Sequence, residues 1–593
     1  GRSTRESITR VREQARVQLE GRNSGKPVFE LLPVEKDQGL TRLPLPSPND
    51  VFFDIEGDAL AADGGREYLF GLAYRSAAGK LVYQEHWATT PAEERAAFER
   101  VVRFLDERLR ADPTAHVYHY APYEPGALKR LMGRYASCED EIDAMLRGER
   151  FVDLYRIVRQ SIRASVERYS IKDLEVFYGF VREADLRIAS RGRRVVEKAI
   201  ERGDWAEVSL EVKRTVEDYN REDCVSAAAL RDWLEKLRTQ LEASGTEVPR
   251  PVPQQEELPP EVNERIAAAR ALVAQLVEGV PDDASARSDE QSARWLLAQE
   301  IEFHRRELKP EYWDLHRLRQ LDDEELFDER RALFGLAFKE RLAKKPRAQL
   351  ETDRYLFSQQ DCDIDVGDKL KLPGEGKAFG EVIAIDRAAR TIDVRKRRDQ
   401  ADHHPRAVFE HEIVRSDEQA GSLSRFGHWV VESGFDSGGP YRAAIELLLR
   451  RSPRLQRAAF AAQPSETPLD FACRIAVHLD GTVLPIQGPP GAGKTHTAAH
   501  MICALVRAGK KVGITAHSHK VIHNLLSKVC EVARATKTPA RCLAKVKDSA
   551  VSDDARFSQT TKNEAIFSAL EDGRANVVAG TAWLWSREDA AQT

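Results

Sequence analysis

Residues 51–58 have the sequence VFFDIEGD, and this stretch decides the fold of the first half of the chain. Its apolar residues predict a buried strand that runs into a turn. Successive side chains of a strand point to opposite faces, so the carboxylates of Asp54 and Glu56 point the same way. Two charges at the end of an apolar strand are costly unless something compensates for them. The stretch therefore has the pattern of a metal-binding strand.

The sequence after this strand continues an α/β pattern. Two more strands are predicted from REYLFGLAYRS and KLVYQEHWA, at residues 66–76 and 80–88. HVYHYA, at 116–121, predicts a fourth strand, and helices dominate from 124 to 243. We expect one α/β domain over residues 49–245.

Two further segments of this domain carry acids. HYAPYE ends a strand and opens a helix with Glu124, and Tyr219 and Asp223 lie four residues apart on one helix face. Together with the two acids of VFFDIEGD they suit a two-metal phosphodiesterase, because hard Mg²⁺ or Mn²⁺ ions prefer carboxylate oxygens. Two such ions about 4 Å apart would activate the attacking water and stabilise the leaving 3′ oxygen. Tyr219 would orient that water.

In order and spacing these segments resemble the DEDD exonucleases, which have a ribonuclease H-like fold, and Y-x-x-x-D resembles their tyrosine subclass. The resemblance implies that Asp54 and Glu56 form the first motif, Glu124 the second and Asp223 the third, beside Tyr219. The family usually has H-N-A-x-F-D as its second motif, whereas this chain has Glu in place of the last Asp. A second interpretation therefore stays open, in which the domain is catalytically inactive and only binds a nucleic-acid end.

A phosphate-binding loop is predicted from GPPGAGKT, which matches G-x-x-x-x-G-K-[ST] between an expected strand, VLPI, and a helix. Gly488, Gly491 and Gly493 allow backbone N–H groups to turn inward around phosphates. Lys494 would reach the β- and γ-phosphates of ATP, and the Thr495 hydroxyl would bind Mg²⁺. The start of the following helix adds its positive dipole end.

Three segments around this loop resemble the first motifs of superfamily 1B helicases: IQGPPGAGKT, TAHSHKVIHNLL and VVAGTAWL. The resemblance implies that Thr515, Ser518, Asn524 and Thr581 contact the nucleic-acid backbone. Alternatively, Thr515 and Ser518 only end a strand and cap the next helix. No Walker B acidic pair follows, so we expect this chain to bind ATP with an incomplete first RecA-like domain.

The composition between these motifs changes at several points, which predicts an α/β multidomain chain. The five prolines of SGTEVPRPVPQQEELPP indicate a semi-rigid linker, and short alternating runs such as GEVIAI indicate a small β-barrel. The expected regions are an N-terminal helix and arm (1–48), the ribonuclease H-like domain (49–245), the proline-rich linker (246–260), a helical linker domain (261–348), the β-barrel (349–418) and the partial RecA-like P-loop domain (419–593).

This order of segments resembles a bacterial fusion family that joins a RecB-like nuclease, a ribonuclease H-like exonuclease domain and a superfamily 1 helicase. In such fusions a PD-(D/E)XK nuclease precedes the exonuclease domain. None of its motifs occurs in this chain, so we expect a single nuclease site. The small barrel resembles the accessory barrel that these helicases carry.

The overall composition excludes some other classes of protein. A net charge of −5, from 91 basic and 96 acidic residues, argues against a whole-surface nucleic-acid binder and allows local basic channels. Arg187, Arg191, Arg193 and Arg194 are candidates for such a channel, as are residues 395–398. No run of about 18 apolar residues suggests a membrane helix. Seven dispersed cysteines without a C-x-x-C favour a reducing, cytoplasmic setting.

We therefore expect a metal-dependent 3′→5′ exonuclease, acting on single-stranded nucleic acid, fused to an ATP-dependent superfamily 1 helicase in DNA repair or defence. DNA is the expected partner. RNA stays open, because selection of the sugar depends on contacts to the 2′-hydroxyl. The sequence predicts no particular protein partner.

Overall fold

The computed structural model describes residues 5–61, 64–252, 260–343, 350–436, 439–456, 459–546 and 556–592. The chain divides into two units, Gly1–Leu258 and Pro259–Thr593, each with its own hydrophobic cores. This division falls at the predicted proline-rich linker, of which residues 253–259 lie outside the described residues.

The first unit alternates strands with helices, and its four strands predicted between residues 51 and 121 are confirmed. Its strands are β1 Phe29–Leu31, β2 Val51–Asp58, β3 Arg66–Arg75, β4 Leu81–Trp87, β5 Val117–His119, β6 Phe151–Asp153 and β7 Ile162–Ala164. Its helices are α1 Arg5–Ser24, α2 Pro91–Ala111, α3 Tyr123–Tyr135, α4 Glu139–Arg147, α5 Leu154–Ser161, α6 Ile171–Tyr178, α7 Leu186–Arg202 and α8 Leu210–Ala243.

The main sheet of this unit has the order β4-β3-β2-β5-β6. Strand β3 is antiparallel to both of its neighbours, β4 and β2, whereas β5 is parallel to β2 and β6 is parallel to β5. The apolar start of β2 is buried, which explains its central place. Because β2 and β5 are parallel, their carboxyl ends meet at one edge of the sheet. The acids of β2 and the start of α3 therefore come to the same edge.

Helix α8 packs on one face of this sheet and brings further side chains to the same edge. It is 34 residues long and begins at Ser209, whose side chain accepts a hydrogen bond from Val212 N. One face packs on β2 and β3, and it includes buried Leu230 and Leu234. Tyr219 and Asp223 lie on the same face and are also buried. The helix thus carries both residues to the acidic end of β2.

The described part of the second unit contains two sheets and several helices. Its strands are β8 Ala332–Phe334, β9 Ala337–Arg341, β10 Thr352–Leu356, β11 Lys369–Lys371, β12 Ala378–Asp386, β13 Thr391–Lys396, β14 Ala407–Glu410, β15 Val512–Ile514, β16 Cys542–Lys545, β17 Ser558–Thr560 and β18 Val577–Ala579. Its helices are α9 Pro260–Leu276, α10 Asp289–Ile301, α11 Phe303–Gln320, α12 Asp323–Asp328, α13 Asp417–Ser433, α14 Arg442–Leu448, α15 Pro468–His478, α16 Lys494–Arg507, α17 His519–Ala535, α18 Asn563–Glu571, α19 Ala582–Trp585 and α20 Glu588–Gln592. No helix in the described parts of either unit has the length and apolarity needed to cross a membrane.

The region predicted as a β-barrel is a seven-stranded antiparallel sheet with the order β8-β14-β11-β12-β13-β10-β9. Only Gly335 and Leu336 separate its two outer strands in the chain, so the sheet curls until its edges approach each other. The sheet begins at Ala332, inside the region predicted to be helical, and that prediction is wrong for residues 332–341. Strands of three and five residues are too short for a sequence pattern to distinguish them from a helix.

The second sheet of this unit is parallel, with the order β15-β18-β16-β17. Helices α16 and α17 pack against each other and share a core with β15, β16 and β18. The prediction of a strand from VLPI, at 483–486, is wrong, because these residues form no β-sheet hydrogen bonds with any described strand. An apolar pattern does not by itself show whether a partner strand is present.

Candidate active site

Three acids from the two halves of the first unit come together at the acidic end of β2. Asp54 and Glu56 of β2 and Asp223 of α8 each offer a carboxylate oxygen, and these oxygens lie within 4.8 Å of one another. We call this group the acidic triad. Asp223 lies at least 167 residues from the two acids of β2, so the fold alone creates the triad.

Burial and mutual repulsion give the acidic triad unusual protonation behaviour. Burial raises the pKa of Asp54 well above its usual range, and the charges of Asp223 and Glu56 raise it further. Burial also raises the pKa of Glu56 to about 7, although the guanidinium of Arg193 opposes that rise. A positive ion placed among these oxygens would relieve both effects.

Basic side chains already neutralise part of this charge. Asp223 accepts from Lys172 Nζ at 3.1 Å and from Arg182 at 2.5 Å. Glu56 accepts from Arg193 at 2.8 Å. Arg193 is one of the residues predicted to line a strand-guiding channel, whereas Arg182 was not predicted from the sequence. Both contact members of the acidic triad, and no local sequence pattern encodes these contacts.

A fully buried amide fixes the position of Asp54. Asn220 Nδ2 donates to Asp54 Oδ2 at 2.7 Å and to the Asp54 carbonyl oxygen at 3.3 Å. Tyr83 donates its hydroxyl proton to Asn220 Oδ1 at 2.8 Å. Sequence reasoning missed Asn220, although its place between Tyr219 and Asp223 on α8 was a usable signal.

Tyr219 lies one helical turn before Asp223, and three cations surround its ring. Lys172 Nζ lies 4.7 Å from the ring centroid, and the guanidinium carbons of Arg193 and Arg182 lie at 5.1 and 5.9 Å. Burial raises the pKa of Tyr219, and the charge of Asp223 contributes to that rise. The phenol therefore keeps its proton at neutral pH and can donate a hydrogen bond beside the acidic triad.

Glu124, the expected fourth acid, lies outside the 4.8 Å group of the acidic triad. It is buried at the start of α3, and its Oε2 lies 3.5 Å from His119 Nδ1, too long for a strong hydrogen bond. Burial raises the pKa of Glu124, and the charge of Glu124 in turn raises the pKa of Asp54. Glu124 is thus a buried neighbour of the triad, and its carboxylate faces His119.

This donor set fits one or two hard divalent cations. All the candidate ligands are carboxylate oxygens, which Mg²⁺ and Mn²⁺ prefer. The acidic triad is compact enough to share one ion, and the carboxylate of Glu124, whose charge acts on Asp54, offers a further ligand nearby.

The predicted phosphate loop of the second unit lies immediately before α16. Gly491 and Gly493 have φ angles of +81° and +85°, which residues with a side chain rarely adopt. Lys494 is exposed, and its Nζ donates to the carbonyl oxygens of Gly488 and, at 2.9 Å, Pro489. The ammonium group thus lies over the loop, where it would meet a bound phosphate. Thr495 follows in the first turn of α16.

The predicted nucleic-acid contacts of the second unit lie near the carboxyl ends of β15 and β18. Thr515 directly follows β15, and one residue separates Thr581 from the end of β18. These two parallel strands are neighbours in the sheet. Ser518 caps α17 by accepting from Val521 N, which agrees with the capping alternative for this residue. Asn524 lies in the second turn of the same helix, and Thr581 is the N-cap residue of α19.

Comparison with protein-family models agrees with this division of the chain. Residues 51–235 match the RNase_H superfamily, and residues 467–576 match an AAA domain. The comparison with curated proteins finds no match. The first match contains the whole acidic triad, and the second contains the phosphate loop. Together they support a fusion of a nuclease-type domain with a helicase-like ATPase domain.

Proposed function

We propose that the first unit is a metal-dependent 3′→5′ exonuclease on single-stranded DNA. The observation that carries this proposal is the convergence of Asp54, Glu56 and Asp223, with a protonated Tyr219 beside them. A cluster of carboxylates in the interior costs stability unless cations compensate for its charge, since its members repel one another. Such a cluster is the usual means of holding divalent cations for phosphodiester hydrolysis.

In this proposal each residue has a defined task. The acidic triad and Glu124 would hold two Mg²⁺ or Mn²⁺ ions, which would supply an activated water and neutralise charge on the phosphate. Asn220 keeps the Asp54 carboxylate in one orientation. Tyr219 would donate its hydroxyl proton to the attacking water or to a phosphate oxygen.

We propose further that the second unit contributes an ATP-dependent superfamily 1 helicase module. Lys494 and Thr495 would bind the phosphates and Mg²⁺ of ATP, with Gly488, Gly491 and Gly493 shaping the loop. Thr515, Ser518, Asn524 and Thr581 would contact the nucleic-acid backbone. The intact function would couple strand movement to end trimming in DNA repair or defence.

A second function is favoured by the counterions of the acidic triad. Glu56 and Asp223 are already neutralised by Arg182, Arg193 and Lys172. Glu124 lies outside the acidic triad. A domain with this arrangement could hold a nucleic-acid end without metal and leave the work to the helicase module. Binding of Mn²⁺ distinguishes the two functions, because a purely binding domain needs no metal.

The direct test compares cleavage by the wild-type chain and by Asp54→Asn. The substrates are single-stranded DNA and RNA of one sequence, labelled at the 5′ end, with Mg²⁺ or Mn²⁺ and without ATP. We expect a ladder of shortening products from the wild type and a rate at least about a hundredfold lower for Asp54→Asn. Asparagine keeps the shape of the side chain and can still accept from Asn220, so the fold is retained.

Asp58→Asn is the matched control for this test. Asp58 ends the same strand and lies outside the acidic triad, where it accepts a hydrogen bond from Leu60 N. We expect this variant to cut like the wild type. Nucleic-acid binding without cleavage in either metal would overturn the nuclease proposal and favour the binding domain.

A further inference from the structure

We propose that Arg193 and Lys172 form a phosphate-binding pair that exchanges partners when metal binds. In the structure they pair with Glu56 and Asp223, and when a divalent cation occupies the acidic triad they would bind the terminal phosphate of the substrate instead. The proposal rests on the metal site proposed above and adds the residues that bind the substrate.

The charges around the acidic triad motivate this exchange. Glu56 Oε2 accepts a hydrogen bond from Arg193, and Asp223 Oδ2 accepts one from Lys172 Nζ. A carboxylate oxygen that coordinates a divalent cation has less attraction for a guanidinium or ammonium group. Metal binding would therefore weaken both ion pairs at once and leave two cations beside the metal, where a phosphate is expected to sit.

The exposed fraction of the side chain distinguishes Arg193 and Lys172 from Arg182, the third cation that contacts the acidic triad. The Arg182 side chain is only 7% exposed, and Glu175 holds it through two hydrogen bonds of 2.9 and 3.0 Å. The side chains of Arg193 and Lys172 are 35% and 28% exposed. Arg182 is thus a fixed part of the core, whereas the other two can reach a ligand from solvent.

Arg193 has the donors that phosphate binding requires. One terminal nitrogen donates to Glu56, while its Nε is buried and has no hydrogen-bond partner among the described residues. Arginine binds phosphate through two parallel N–H donors. The two cations face the Tyr219 ring at 5.1 and 4.7 Å, so a phosphate between them would lie next to the phenol.

The test measures two affinities on the full chain at pH 8.5. Calorimetric titration gives the affinity for Mn²⁺ alone. A second titration, at saturating Mn²⁺ and in a Lys494→Ala background that removes the phosphate loop's lysine, gives the affinity for thymidine 5′-monophosphate. We expect Arg193→Gln to bind Mn²⁺ about tenfold more tightly, because a competing positive charge is gone, and the nucleotide about tenfold more weakly.

Two further variants make the test specific. Arg202→Gln removes the same charge from an exposed residue at the end of α7, and we expect both affinities to stay at wild-type values. Arg193→Lys restores the charge without the paired donors, and we expect Mn²⁺ affinity to return to wild type while nucleotide affinity recovers in part.

The outcomes separate this inference from the proposed function. Tight Mn²⁺ binding that Asp54→Asn abolishes, with Arg193→Gln and Arg202→Gln indistinguishable in both titrations, would overturn the exchange alone. Absence of Mn²⁺ binding in the wild type would overturn the metal site and the inference with it. Opposite changes in the two affinities for Arg193→Gln alone would support the exchange.

Discussion

His116 leads into β5, and the fold keeps its ring uncharged. Burial lowers the pKa of His116 to about 4, and the positive charge of Arg150 contributes to that shift. A histidine in an unfolded chain has a pKa of about 6.5. Between these values the unfolded chain binds more protons than the folded chain. His116 therefore makes the first unit less stable as the pH falls from about 6.5 towards 4.

We predict that His116→Gln flattens this loss of stability in acid. Between pH 7 and pH 4.5 the wild type should lose about 2 kcal/mol of unfolding free energy through this residue. Glutamine has no proton to gain, and the backbone N–H of residue 116 still donates to Asp50. Hydrogen exchange of the β2 and β5 amides, corrected for intrinsic rates, measures the effect.

The control for this prediction is His403→Gln, which changes an exposed histidine of the second unit. We expect its β2 and β5 amides to show the wild-type pH dependence. An unchanged pH dependence in His116→Gln would mean that another group is responsible for the acid sensitivity of the first unit.

At the scale of residues, the acids of the site could be predicted and their partners could not. Asp54 and Glu56 stand on one short strand, and Asp223 stands in a recognisable helical pattern. Arg193 and Asn220 reach these acids from 137 and 166 positions away. Which distant residue fills such a contact depends on how α7 and α8 pack, and no local pattern encodes that.

At the scale of elements, the contact between β3 and α8 has almost no spare room at Gly71. A Cβ atom on Gly71 would lie 1.6 Å from Asn220 Oδ1 and 3.0 Å from the ring of Tyr83. Gly71 is also paired with Asp54 in the β2–β3 register. A side chain here would push Asn220 away from both of its partners.

We predict that Gly71→Ala lowers the unfolding free energy of the first unit by about 2–3 kcal/mol. The cost combines a steric clash with the loss of buried hydrogen bonds to Asn220. Differential scanning calorimetry should show the transition of the first unit at a lower temperature, with that of the second unit unchanged.

Gly133→Ala is the matched control, because a Cβ atom there would meet no atom within 4 Å. Gly133 lies inside α3, where alanine is favoured over glycine by up to about 1 kcal/mol. We expect the transition to stay in place or to rise slightly. Equal midpoints for the two variants would show that α8 can move away from β3 at little cost.

The elements themselves could be predicted where the sequence pattern was long or strongly apolar. The strands β2, β3 and β4 and the helix α8 are confirmed. Two predictions were wrong for one reason: the strand at 483–486 and the all-helical region up to residue 348. A strand needs a partner, and neither the missing partner of VLPI nor the neighbours of β8 and β9 are visible in a single stretch of sequence.

At the scale of the whole molecule, two local motifs place two chemistries in two units. VFFDIEGD lies in the first unit and GPPGAGKT in the second, and each can be recognised without knowing the rest of the chain. The division at Leu258–Pro259 follows from the proline-rich composition before it. The order of the units could therefore be predicted from sequence, whereas the pairing of their strands could not.

We predict that the two chemistries can be removed one at a time. Lys494→Ala takes away the ammonium group above the phosphate loop, so binding of a fluorescent ATP analogue should weaken about a hundredfold. Metal-dependent cleavage without ATP should persist, because every proposed ligand of the nuclease metal ions lies in the first unit. Asp54→Asn should abolish cleavage and leave binding of the ATP analogue unchanged. Lys510→Ala, which changes an exposed lysine of the second unit, should leave both activities unchanged. Loss of both activities through either single substitution would contradict separate sites, since each substitution changes one charge in one unit.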